Sequence, residues 1–308
     1  MARPVHFEAG GAAARDGLPM PGIFACIAGE EVYRPWDERR IPGQRIEPRQ
    51  TPFGPSGEIF LVDSAATPFY LLPRYGAGPG HALSRAVNYR ANLYALKDMG
   101  VQYILGWGPG GAITHNYAVG DLVILSDLVD HTYLRPKTYF ENSPLGFLRQ
   151  FPVFCPTLRR LAGEVLHEMK LVCHGTGTAA VSEGPRMETP AEIRLLAGAG
   201  AEIATHTFIP EVFLAKELQL CFAAVCYIVN YAETGSKHRP FAAGDLFGGL
   251  TQKSEQDRLA SAVGSLGEIV RRIASAVAPM PRTCECQKTM AHHIAKYHLS
   301  NDWHDWFV

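Results

Sequence analysis

No run in this 308-residue chain is apolar over the length of a membrane-spanning helix, which removes that class of protein first. Excess charge is also missing: 29 Lys and Arg stand against 30 Asp and Glu, for a net charge of −1. A chain so balanced lacks the basic surplus that draws nucleic acid or an anionic membrane surface. The first twenty residues lack the apolar core of a signal peptide. Residues 1–20 are therefore expected to form a loose extension of a cytoplasmic protein. A disulfide framework is absent as well. The seven cysteines are odd in number, and Cys173, Cys221 and Cys226 sit in apolar runs, as buried thiols do in a reducing compartment. What remains, 47% hydrophobic and 19% charged, describes an ordinary globule with a large core.

Short apolar runs alternate with helical spacing. Gly22 to Ile27, Glu58 to Val62, Phe69 to Leu72, Val101 to Leu105, Asp121 to Leu125, Thr176 to Val181 and Phe222 to Val229 read as strands. Asn88 to Asp98, Thr157 to Met169, a long stretch from Ser254 to Val277, and Gln287 to Tyr297 read as helices. Thr189-Pro190 and Pro210-Glu211 each open a further helix. The order predicts one α/β domain over 21–308, a central mixed sheet flanked by helices. Residues 37–55 read as a surface loop, and the last residues, with Trp303 and Trp306, are left without a role. The run Gly106-Trp107-Gly108-Pro109-Gly110-Gly111 invites a dinucleotide-binding reading, yet the next strand starts ten residues later and no crossover helix fits between them.

Between Leu72 and Glu217 lie the segments that carry a resemblance. Glu183-Gly184-Pro185-Arg186, then Pro210 to Glu217, with Asn88-Tyr89-Arg90-Ala91-Asn92 upstream, resemble the nucleoside phosphorylases of the 5'-methylthioadenosine phosphorylase type. The resemblance runs from Pro21 to the C-terminal helix. It implies the nucleoside phosphorylase fold, a homotrimer with Asp130 to Pro136 at the subunit interface, and no cofactor.

The resemblance also implies a site, and this chain departs from it at many positions. The turn that holds phosphate after the first strand carries Glu30, a carboxylate that would repel a phosphate dianion. An arginine–histidine pair on phosphate becomes Arg74 and Tyr75. A phosphate-binding threonine becomes Gly108, followed by Pro109, while Trp107 beside it is either core or pocket wall. The phenylalanine that stacks on the purine is Met187. His206 replaces a methionine under the sugar, Thr207 keeps a hydroxyl for phosphate and ribose, and Phe208 follows. Two aspartates that read adenine become Asn230 and Ala232. Asn230 can hydrogen-bond a purine edge but delivers no proton, and asparagine there occurs in relatives acting on 6-oxopurines. At Cys284-Glu285-Cys286, the resemblance implies a Cys-x-Cys that some microbial members of the family carry at this place. A Cys-x-Cys disulfide or two free thiols is favoured there over a zinc site completed by His292 and His293, so no metal is expected.

Three functions follow. The first is a family member with a dismantled phosphate site, deficient in phosphorolysis, that binds a planar aromatic or purine nucleoside in the cleft. The second is a phosphate-independent nucleoside hydrolase in which Glu30 or Glu31 activates water. The third is an active methylthioadenosine or purine nucleoside phosphorylase. They rank in that order, with Glu30 and Asn230 as the candidate catalytic groups. Restoring threonine at positions 30 and 108 is expected to improve phosphate binding.

Overall fold

Residues of alternating parity along Phe24–Ala28 (β1) point to opposite faces of a sheet, and both faces are apolar. Ala25 and Ile27 join one buried cluster, Phe24, Cys26 and Ala28 the other. Strands buried on both sides need helices on both sides. The computed structural model, which describes residues 23–29, 43–63, 67–76, 83–232 and 252–307, has that arrangement. Glu30, Glu31 and the extension expected over 1–20 lie outside those residues.

The main strands after β1 are Gln44–Ile46 (β2), Ile59–Val62 (β3), Phe69–Pro73 (β4), Tyr103–Ala112 (β5), Leu122–Ile124 (β6), Asp127–His131 (β7), Cys173–His174 (β8), Thr178–Ser182 (β9), Ile203–Thr205 (β10) and Cys221–Tyr231 (β11). They form one 11-stranded sheet, in the order β8-β6-β11-β5-β1-β4-β3-β2, with β10, β9 and β7 continuing from the far end of β5. The pairings of β5 with β1 and β11, and of β1 with β4, are parallel; those of β5 with β10 and of β6 with β11 are antiparallel. The sheet is therefore mixed, as expected.

Tyr89–Asp98 (α1) and Glu211–Glu217 (α4) cover one face. Pro156–Glu168 (α2) and Leu266–Val277 (α6) cover the other. Local chemistry sets the helix ends. The Asn88 side chain accepts from the Ala91 amide at the start of α1, and Thr189 with Glu192 closes a capping box on Pro190–Gly198 (α3).

Four expectations change, one being the loop read over 37–55, where Gln44–Ile46 is β2 and pairs with β3. The stretch Ser254 to Val277 is two helices, Lys253–Gly264 (α5) and α6, because Ser265 turns its hydroxyl back onto the Ala262 carbonyl at 2.7 Å. The strand expected to stop at Leu105 runs through all the glycines to Ala112. The C-terminal helix is Ala291–Tyr297 (α7), preceded by a 3-10 turn at Glu285–Lys288.

Candidate functional site

Parallel strands end on one edge of the sheet, and Arg74, Asn230 and Ala232 lie at those ends. Ala28 of β1 lies beside Pro73 of β4, and the Arg74 amide donates to the Ala28 carbonyl at 2.9 Å. Asn230 pairs with Gly111 across a register shift in β11 that follows Ile228. A bulge of this kind re-aims the side chain it carries. A Cβ on Gly111 would lie 2.8 Å from the Asn230 Oδ1, so glycine there lets the asparagine keep this position. Ala232 follows, its amide bonded to the Ala112 carbonyl at 2.9 Å.

Arg74 is wholly buried, and four of its five N–H donors are committed. Its Nε donates to Glu211 Oε1 at 2.7 Å and its Nη2 to Glu211 Oε2 at 3.1 Å, a bidentate pair with no solvent between. Nη1 reaches the Trp107 carbonyl at 3.0 Å and Nη2 the Ile27 carbonyl at 3.3 Å. Burial opposes the charge, and the Glu211 carboxylate outweighs it, raising the guanidinium above its usual range. The Phe208 ring lies 5.6 Å from the guanidinium carbon. Tyr75 sits beside Arg74, half-buried, and burial pushes its hydroxyl up.

Thr207 is buried and its hydroxyl is 2.9 Å from that of Thr205, which donates to the Pro109 carbonyl at 2.7 Å. With the Thr205 proton spent on Pro109, the Thr207 hydroxyl must donate to Thr205 and turns only lone pairs outward. A Cβ on Gly108 would meet Thr207 Oγ1 at 2.7 Å and Phe208 at 3.2 Å. A threonine restored at Gly108, as expected to aid phosphate binding, would therefore press on Thr207 and Phe208. Phe208 holds the left-handed conformation, φ 74°, between Thr207 and the start of α4. Trp107 points to the opposite face, fully buried in the second cluster, with its ring stacked on Tyr227 at 5.5 Å. That position is core.

The loop after β9 borders this group. Glu188 accepts from the Ser182 hydroxyl and from His206 Nε2 at 3.1 Å. Burial raises the Glu188 carboxyl, and the hydrogen bonds from His206 and Ser182 pull it below its usual range. Glu188 is therefore the acceptor, and Nε2 carries the proton. The His206 ring lies against Gly184, whose φ of 64° and absent side chain make room for it. Met187 is 41% exposed. Arg135 lies in the segment whose family counterpart contributes to the subunit interface and the site. It is buried and donates to Glu183 and to four carbonyls, of Ser182, Glu183, His206 and Ile209, locking the loop to the segment before α4.

Comparison with known proteins decides the family. Residues 71–274 match the model of the phosphorylase superfamily. A probable 6-oxopurine nucleoside phosphorylase of Dictyoglomus turgidum is 34% identical over 89% of this chain and 98% of its own. The chain belongs to the phosphorylase superfamily. Another superfamily relative, an S-methyl-5'-thioadenosine phosphorylase of Thermofilum pendens, is 29% identical over 87% of this chain and 96% of its own. Among solved structures, a methylthioadenosine phosphorylase from an antarctic soil metagenomic library superposes with a TM-score of 0.76 at 22% identity, covering 89% of this chain and 92% of that one. The Schistosoma mansoni methylthioadenosine phosphorylase, solved with adenine, gives 0.73 at 22% identity over 88% and 96%. These structures establish the nucleoside phosphorylase fold for the chain.

Proposed function

We propose that this superfamily member binds a purine nucleoside at the carboxyl ends of β1, β4, β5 and β11 and does not phosphorolyse it. One observation carries the reading: the Arg74 guanidinium, the strongest anion donor at the site, is paired bidentately with buried Glu211. Phosphorolysis needs phosphate held beneath the sugar and charge on the leaving base neutralised. Thr207 gives its proton to Thr205, and Gly108 supplies no hydroxyl. Each lost transition-state donor typically costs ~10²–10³-fold in rate.

The base side is better preserved. Asn230 is buried beside Gly111 and offers an amide that both donates and accepts, which suits a 6-oxopurine edge. The 34% identity to a probable 6-oxopurine phosphorylase supports that base class. It also favours a second reading, an active phosphorylase of 6-oxopurine nucleosides. Burying a flat base of ~200 Å² yields about 5 kcal/mol before association costs, enough for micromolar binding.

Calorimetric titration with inosine, followed by chromatography of the mixture in phosphate, tests the reading. The expected result is saturable binding, weakened in Asn230→Ala, with inosine recovered intact. Accumulation of ribose 1-phosphate would establish the second reading instead.

The reading extends to assembly as a homotrimer. Tyr133 and Leu134, in the segment aligned with the family's interface, are 78% and 66% exposed. Apolar side chains so displayed, next to a loop fixed by Arg135, suit a neighbouring subunit. A monomer by light scattering at micromolar concentration would refute it.

A further inference from the structure

Four cysteines from three separate segments converge away from the nucleoside edge. Cys155 precedes α2, Cys221 opens β11, and Cys284 and Cys286 bracket the start of the 3-10 turn after α6. Their sulfur atoms all lie within 4.8 Å of one another, and Cys221 Sγ is 3.3 Å from Cys284 Sγ. We propose that Cys155, Cys221, Cys284 and Cys286 form a structural metal site whose ion is zinc.

Geometry favours one ion over two disulfides. A disulfide brings two sulfurs to about 2.05 Å and leaves the other pair independent. Four thiolates around zinc, at about 2.3 Å each, stand about 3.8 Å apart along every edge of a tetrahedron. All four are free thiols, with Cys221 and Cys284 at 3.3 Å and every separation within 4.8 Å, which fits the second form. An all-sulfur donor set selects a soft or borderline ion, and four protein ligands leave no open position for catalysis.

The surroundings supply what such a site needs. Binding releases four thiol protons as four metal–sulfur bonds form, leaving a net charge of −2 on the centre. Arg282 offsets part of it, with Nη2 at 3.6 Å from Cys221 Sγ, while that side chain is held by the Gln219 carbonyl at 2.6 Å. The Leu158 amide, in the first turn of the 13-residue α2, donates to Cys155 Sγ at 3.5 Å. Donors of this type orient thiolates and tune the metal. Cys155, Cys284 and Cys286 also line a cavity of about 870 Å³, which gives an ion a path inward. His292 and His293, weighed from sequence as ligands, line that cavity, and the metal-capable group found among the described residues is all cysteine.

The ion would tie the segment after α6 to the start of α2 and of β11. The test is elemental analysis of the full chain, purified under reducing conditions and exposed to zinc or cobalt, with alkylation of thiols before and after chelation. About one metal per chain is expected, with the spectrum of tetrahedral thiolate-bound cobalt and four thiols shielded until the metal leaves. Cys286→Ser, at the half-exposed corner, is expected to lose the metal stoichiometry, and Cys173→Ser, outside the cluster, to keep it. Metal-free protein with four reactive thiols, disulfides among the four, or unchanged metal in Cys286→Ser would each overturn the proposal.

Discussion

Arg74 and Glu211 sit 137 residues apart and meet with side chains 0% and 1% exposed. Removing one partner leaves the other charged and dry. Glu211→Gln is expected to cost on the order of 3 kcal/mol in urea unfolding. An unchanged midpoint would mean that the pair holds nothing together. Gly108→Thr is expected to destabilise by about 1–3 kcal/mol through its clash with Thr207 and Phe208, without improving phosphate affinity. A gain in phosphate binding by calorimetry would show that Thr207 gives way.

Glu217, also buried in α4, accepts from Thr138 and from the Tyr139 amide, and burial still pushes its carboxyl up to about 7 from 4.5. Between those values the folded chain holds a proton that the unfolded chain has released. The contribution to stability is complete below 4.5 and lost as pH rises through about 7, a change of about 3 kcal/mol. Glu217→Gln can still accept from Tyr139 while its amide donates to Thr138. Its unfolding free energy is therefore expected to change less than that of the wild type between about pH 5 and about pH 8. Equal slopes for the two proteins would remove Glu217 from the titration. From sequence, Arg74 was legible as a residue at a strand end. Glu211 as its partner was not, because nothing local encodes a contact across 137 positions.

At the scale of elements, hydrophobic spacing carried most strands and helices, and glycine misled. The run from Gly106 to Gly111 looks like a loop, yet its glycines lie within β5, where Thr207, Phe208 and Ile203 press onto the strand. Glycine there serves close approach, which composition cannot separate from flexibility. The break between α5 and α6 was hidden because apolar periodicity continues across Ser265. Gly264 ends α5 with open space within 4 Å of where a Cβ would stand and no positive φ. Gly264→Ala is expected to stabilise by about 0.4–1 kcal/mol. A fall in melting temperature would show that the joint needs glycine.

Across the whole molecule, long-range chemistry escaped the sequence most. The C-terminal segment, without a role on first reading, packs Phe307 against Phe53, Tyr139 and Phe140 at 5.5, 5.2 and 5.4 Å between ring centres. Cys284 and Cys286 were legible as a pair, but Cys155 and Cys221 are brought to them only by the fold. Among the described residues no helix is long and apolar enough to cross a membrane. The family and the sheet edge were legible because they rest on contiguous motifs. Whether the proposed site can take an anion depends on who hydrogen-bonds whom, which motifs do not record. The rate of hypoxanthine release from inosine, measured against phosphate concentration, addresses that question directly. No release above background is expected with or without phosphate, and a saturable rise with phosphate would contradict the loss of phosphorolysis.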